Sequence, residues 1–190
     1  MILVLFHMFI LDYIIIDNDD YLRNISQEQI QKEGVHIYGL LNFNCDGLQV
    51  GSYYDGYKDN PFESGIDILG HWVESLVIAS RHLQMYEFIA IRSLLGDDYF
   101  WTFEKKGDYI YLNKSKPIKS VTELILFKKK DLHEFKLDGV YRIEKDIFDF
   151  KVKESTAKFI NELINLNPVF SEVRYVRDLK SSFENNEETC

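Results

Sequence analysis

The chain reads as an α+β protein: a single domain with a largely antiparallel sheet, a central helix at about 66–84 and two C-terminal helices. Three observations predict this. Strand-like segments come in runs separated by short turn signals, instead of alternating with helices, which argues against a doubly wound parallel sheet. Ile66, Leu69, Trp72, Val73, Leu76, Val77 and Leu83 recur at helical spacing and make one broad apolar stripe. Val152, Phe159, Ile160, Leu163 and Ile164 trace a second stripe, which Asn167-Pro168 breaks because proline cannot continue a helix.

Length and composition fit that class. A chain of 190 residues suits one domain, placed at 1–183, with the polar stretch 184–190 as a frayed tail. A domain of this size buries roughly 70% of the surface that its unfolded chain exposes. An apolar content of 46% and an aromatic content of 15% exclude a disordered chain.

The elements follow in order. Residues 1–16 are apolar and β-branched, interrupted by His7, Asp12 and Tyr13, and read as a buried strand or two strands with a kink. The segment lacks a basic flank and a small-residue cleavage site, and falls short of the ~20 apolar residues of a spanning helix. Asp17-Asn18-Asp19-Asp20 ends it with turn formers. Ser26 and Gln29 form a capping box for a short helix over 27–33, with Gly34 as its stop. Runs at 35–43 and 48–54 flank Asn44-Cys45-Asp46-Gly47, a hairpin signal. Residues 55–65 read as an irregular loop. After the central helix, strands are expected at 86–94, 99–104, 109–113 and 121–127, with Gly96-Asp97-Asp98 and Lys105-Lys106-Gly107-Asp108 as turns. A helix over about 150–166 and a final helix through Val169, Val173, Val176, Leu179 and Phe183 complete the chain.

Charge is distributed unevenly. Met1 to Ser75 carries twelve acids and three bases, a balance of −9, whereas Leu76 to Cys190 carries 19 of each. Such asymmetry concerns partners more than fold. A net charge of −9 argues against nucleic acid and against an anionic membrane surface. Two cysteines, Cys45 and Cys190, make no disulfide framework, and a reduced cytoplasmic setting is expected.

Catalytic signals are sparse. Tyr13 to Asp20 is an apolar strand ending in Asp-x-Asp, a way to place carboxylates on a magnesium ion. The pattern resembles the first motif of haloacid-dehalogenase-like phosphatases over four or five residues. The small and hydroxyl residues that follow the second aspartate there are replaced by Asp20-Tyr21. Metal-dependent phosphoryl or glycosyl transfer through Asp17 and Asp19 is therefore the alternative reading, and a non-catalytic assembly subunit is another. His71 and His82 sit about 16 Å apart on one helix, too far to share a metal. No Cys/His spacing matches a zinc site, and no phosphate-cradling glycine loop is present. Cys45 could form a dyad with His36 or His71. Lys128-Lys129-Lys130 reads as a solvated strand end. No cofactor or metal is expected.

The remaining cluster is acid plus tyrosine. Tyr53, Asp55, Tyr57 and Asp59 are concentrated in one loop, bracketed by Asp46 and Glu63, with Asp17, Asp19 and Asp20 expected nearby. Tyrosine offers rigid contact area, and carboxylates pair with Arg and Lys. In size, acidity, aromatic richness and want of catalytic motifs, the chain resembles the immunity proteins of bacterial polymorphic-toxin and contact-dependent inhibition systems. The resemblance implies a dedicated cationic toxin domain as partner, often a nuclease, and these nine residues are the expected contact surface.

Overall fold

The computed structural model describes residues 9–16, 20–50, 67–94, 99–135, 137 and 140–184. Its architecture is α+β, with antiparallel strands throughout. The strands divide between two sheets, where the sequence reading had one.

The first sheet is built on β2 (Tyr38–Cys45). On one side β2 pairs with β1 (Phe9–Ile15), from Phe9 opposite Cys45 to Ile15 opposite Gly39. On the other it pairs with β3 (Leu48–Val50) and β4 (Asp67–Ile68). The β2–β3 connection is the expected hairpin. Asp46 and Gly47 both take positive φ, 50° and 88°, as a tight turn matched to strand twist requires. The Asn44 carboxamide oxygen accepts from the Gly47 amide at 3.0 Å and closes it. At the other end of β2, Gly39 is required by contact: a Cβ there would run into the Ile14 carbonyl and Leu69.

The second sheet has the order β10-β7-β6-β5-β8. Its members are β5 (Phe88–Arg92), β6 (Phe100–Lys106), β7 (Tyr109–Pro117), β8 (Ile125–Leu126) and β10 (Tyr141–Glu144), with β9 (Leu132–Glu134) pairing on β7. Gly107, φ 61°, opens the two-residue β6–β7 turn, the position at which a primed turn wants glycine. The strand expected at 121–127 shrinks to β8, because only Ile125 and Leu126 find partners on β5.

Among the described residues five helices accompany the sheets: α1 (Tyr21–Asn24), α2 (Gln27–Glu33), α3 (Leu69–Met85), α4 (Lys145–Leu166) and α5 (Arg174–Glu184). The α2 capping box forms as expected, with Ser26 Oγ accepting from Gln29 N and Gln29 Oε1 accepting from Ser26 N. Helix α4 starts five residues earlier than its stripe suggested. Glu144 makes no side-chain cap, so no start signal stands in the sequence. After Pro168 a 3-10 turn (Pro168–Glu172) leads into α5.

Both sheets and the long helices share one core. Helix α3 packs on β2 of the first sheet and β5 of the second, and α4 packs on β1, α3, α5 and β10. Four rings tie the layers together. Phe9 meets Phe43 at 5.1 Å, Phe43 meets Phe103 at 5.9 Å, Phe103 meets Phe148 at 5.9 Å, and Phe148 returns to Phe9 at 6.2 Å. They come from β1, β2, β6 and α4, so both sheets and one helix converge there. Polar pins surround this centre. Asp149 accepts from Ser80 Oγ at 2.7 Å, Gln84 Nε2 at 2.6 Å and Lys145 Nζ at 3.0 Å, joining α3 to α4. Lys105 Nζ donates to the Leu83 carbonyl at 2.6 Å and the Gln84 carbonyl at 3.2 Å, placing a cation at the negative end of α3. Asn167 Nδ2 holds the Leu22 and Ile25 carbonyls at 3.1 and 3.0 Å.

Truncating the shared ring tests this centre. Phe103→Ala should cost about 3–5 kcal/mol in urea unfolding, the range for a fully buried phenylalanine. A loss under 1 kcal/mol would mean that the two sheets do not depend on it.

Candidate functional site

Of the nine residues expected to grip a partner, two fall within the described residues. Asp20 is exposed and stands just before α1, where its carbonyl accepts from Asn24 N at 3.2 Å and Asn24 Nδ2 at 2.8 Å. Asp46 is exposed in the β2–β3 turn. Asp20 follows the end of β1 that lies opposite Gly39, and Asp46 follows Cys45 at the other end of β2. Six residues of strand, roughly 20 Å, separate those ends. These two carboxylates therefore mark opposite ends of the first sheet. Asp17, Asp19, Tyr53, Asp55, Tyr57, Asp59 and Glu63 lie outside the described residues.

Asp12, another acid of the first seventy-five residues, meets a cation from the later part of the chain. Lys158 Nζ lies 2.8 Å from its carboxylate and 4.8 Å from the centre of the Tyr13 ring. Burial alone would raise the Asp12 carboxyl. The hydrogen bonds from Lys158 and from the Tyr13 amide outweigh burial and hold it below its ordinary value. Other lysines and arginines of the later part engage acids of that same part. Lys106 and Lys129 meet Glu104 at 3.2 and 3.1 Å, Lys129 meets Glu134 at 2.7 Å, Lys151 meets Glu154 at 2.7 Å, and Arg174 meets Asp178 at 3.4 Å.

The nucleophile candidates are held in structural bonds. Cys45 is buried and its thiol donates to the Arg142 carbonyl at 3.3 Å. Burial, helped by the Asp46 charge, pushes that thiol up to about 12. A thiol of that pKa carries almost no thiolate near neutrality, so Cys45 is chemically quiet. The His71 ring bonds through Nε2 to the Arg92 carbonyl at 3.2 Å and through Nδ1 to Ser75 Oγ at 3.3 Å. A carbonyl can only accept, so Nε2 carries the proton and Nδ1 accepts from the Ser75 hydroxyl. That is the hydrogen-bond order of an activated serine, but Ser75 is buried at 1% exposure and lines none of the clefts described here. His82 stacks on Tyr86 with ring centres 4.5 Å apart and leans on Phe127 at 4.7 Å. No group of three or more metal-ligating side chains occurs among the described residues.

The largest described cleft, about 480 Å³, lies on the outer face of the second sheet. Thr102, Glu104 and Lys106 of β6 and Tyr111 and Asn113 of β7 form its floor, and Lys129, Glu134 and Phe135 one wall. Its charges alternate along Lys106–Glu104–Lys129–Glu134, each touching the next. The paired lysines hold the Glu104 carboxyl below its ordinary value against the effect of burial. This strip was not legible in the sequence. Its members come from three segments and carry no common spacing. Lys129 in particular reads as a solvated lysine of a basic run, yet it bridges two carboxylates. The arrangement is a self-satisfied charge network on an open sheet face, with no reactive group at its centre.

The chain matches no family model, no curated protein and no solved structure. No helix among the described residues is long and apolar enough to cross a membrane.

Two measurements follow from these groups. In a Cys190→Ser background, Cys45 should resist an aromatic disulfide reagent at pH 8 and react fully once unfolded. Rapid labelling of the folded protein would contradict the buried thiol. The Asp12–Lys158 pair should act at the acid end. Its folded carboxyl value lies below the unfolded one, about 3.9, so its contribution is complete above that pH and disappears as pH falls through the folded value. The melting temperature of Asp12→Asn should therefore fall less than that of the parent between pH 5 and pH 2.5. Parallel curves would remove the pair from the acid transition.

Proposed function

We propose that the chain is an immunity protein: an acidic, cytoplasmic binding protein that neutralises a cognate basic toxin domain by direct contact. The observation that carries this reading is the segregation of charge. The first seventy-five residues hold a surplus of nine carboxylates, and the rest of the chain is balanced. Internal pairing supports it. Cations of the later part meet acids of their own part at Glu104, Glu134, Glu154 and Asp178, while Asp12 is an N-terminal acid joined across the divide. A surplus of one sign raises encounter rates with an oppositely charged surface and repels wrong partners. The inertness of Cys45 and the burial of Ser75 favour binding over covalent chemistry at those residues. Tyr53, Tyr57 and the aspartates between and beside them would supply the anchors, with aromatic area and charge-assisted hydrogen bonds at the centre of the contact.

Capture of the partner from the native host, followed by association kinetics at 50 and 500 mM salt, tests the reading. The partner should be a basic domain, and its association should slow at least tenfold over that salt range. Asp55→Lys combined with Asp59→Lys should reduce the association rate about tenfold at low salt and flatten the salt dependence. A neutral or acidic partner, or rates indifferent to salt and to the double reversal, would overturn it.

A further inference from the structure

The two ends of the first sheet are not equivalent. Among the described residues of the first fifty, three large apolar side chains are exposed: Ile14, Tyr21 and Tyr38, at 38%, 46% and 45%. All three belong to one end, where β1 finishes and β2 begins. Ile16 N donates to the Tyr38 carbonyl at 3.0 Å and Ile14 stands opposite Leu40, so Ile14 and Tyr38 are diagonal neighbours across the pair. Tyr13 and Ile37, each next to one of them in sequence, are buried in the core. Alternation therefore sends Ile14 and Tyr38 to the face of the sheet turned away from that core. Leu40, on the same face, is buried and bounds the strip. The exposed His36 ring lies 6.2 Å from that of Tyr38 and extends it. Tyr21 opens α1, shortly after the end of β1.

The opposite end offers no such side chain among the described residues. Cys45 and Val50 are buried there, and Leu48 is half-buried. Charge has the same polarity. Residues 9–24 hold Asp12, Asp17, Asp19 and Asp20 against Arg23, four acids to one base and a balance of −3, of which Lys158 takes up Asp12. Residues 44–50, at the other end, hold Asp46 as their one charge. Exposed apolar side chains elsewhere, such as Met85, Tyr86 and Phe127, belong to the part of the chain whose charges balance. Apolar exposure and an excess of carboxylate thus coincide at the Gly39 end of the first sheet.

We propose that the cationic protein partner docks on this end, with Tyr38, Ile14 and Tyr21 as anchors, Asp20 at the rim and Asp46 outside the contact. The inference rests on the proposed function and names the surface that would carry it. Large apolar side chains at the centre of a contact exclude water, and carboxylates around them pair with lysine and arginine. The faces of Tyr21 and Tyr38 also attract a guanidinium, so the fitting partner presents arginine beside apolar side chains. Size excludes Asp46. A standard contact covers about 800 Å² on each partner, which reaches roughly 16 Å from its centre. Asp46 stands about 20 Å away along the strand.

Binding kinetics at about 150 mM salt, with the basic domain captured from the native host, test it. Tyr38→Ala and Ile14→Ala should each speed dissociation at least tenfold and leave association within about twofold, because anchors act on the off-rate. Asp20→Lys should slow association about threefold, as a rim charge does. Leu48→Ala and Asp46→Asn should change neither rate by more than about twofold, since Asp46 lies more than a Debye length from the contact. Circular dichroism checks that each variant is folded, and Tyr21→Ala, with the same expected off-rate, replaces Tyr38→Ala if that variant is not. Off-rates unchanged in the folded anchor variants, or larger effects from Leu48 and Asp46, overturn this surface while a basic partner and salt-dependent association leave the proposed function standing. Capture of no basic protein overturns both.

Discussion

The contact between Phe43 and Phe103 is the constraint on which the rest of the molecule depends. Each ring belongs to the middle of its own sheet, and neither sheet alone could bury it. Phe148 on α4 and Phe9 on β1 close the group, so one cluster fixes the distance between sheets and the seat of the longest helix. Edge-to-face packing of such rings adds about 0.5–1.5 kcal/mol per pair to the burial of their area. The polar pins at Asp149, Lys105 and Asn167 then have their partners within reach. Each satisfies groups that the packing has already brought out of water, and an unsatisfied member would cost more than the bond contributes.

The two sheets treat their boundaries differently, for a reason visible in what lies beside them. Helix α4 runs along β1: Ser155 donates to the outward Leu11 carbonyl, the Asp12 carboxylate accepts from the outward Tyr13 amide, and Lys158 bonds that carboxylate. Charge follows a similar division. In the later part of the chain lysines and carboxylates alternate closely enough to bond one another on the sheet face. In the first part acids outnumber bases four to one, a surplus of nine carboxylates.

Local signals in the sequence corresponded to local structure. The Ser26–Gln29 box, the Asp46-Gly47 turn and the glycine of the β6–β7 turn are each a property of two to four consecutive residues, and each formed as expected. The amphipathic stripe of α3 was legible because 17 residues repeat one period. Signals failed where an element owed its limits to something distant. Helix α4 begins at Lys145, where no capping side chain stands, because Lys145 bonds Asp149 and the Asp108 carbonyl. Segment 121–127 is rich in β-formers, yet it keeps two ladder residues, because only Ala90 and Ile91 of β5 pair with it. The short strands β9 and β10 exist through their pairing with β7, not through any run of their own.

Composition, turn chemistry and period were thus determined by the sequence itself, since each acts over a few residues and needs no knowledge of the fold: the α+β class, the hairpins, the central helix and the lopsided charge. Tertiary structure alone decided that the strands form two sheets, that Cys45 is sealed beneath the Arg142 carbonyl, that Lys129 joins Glu104 and Glu134, and that Asp20 and Asp46 mark opposite ends of one sheet. Those outcomes depend on which surfaces meet across 25 to 100 residues of chain. The energy that selects them comes from burial and from the pairing of groups removed from water, and neither exists until the layers close.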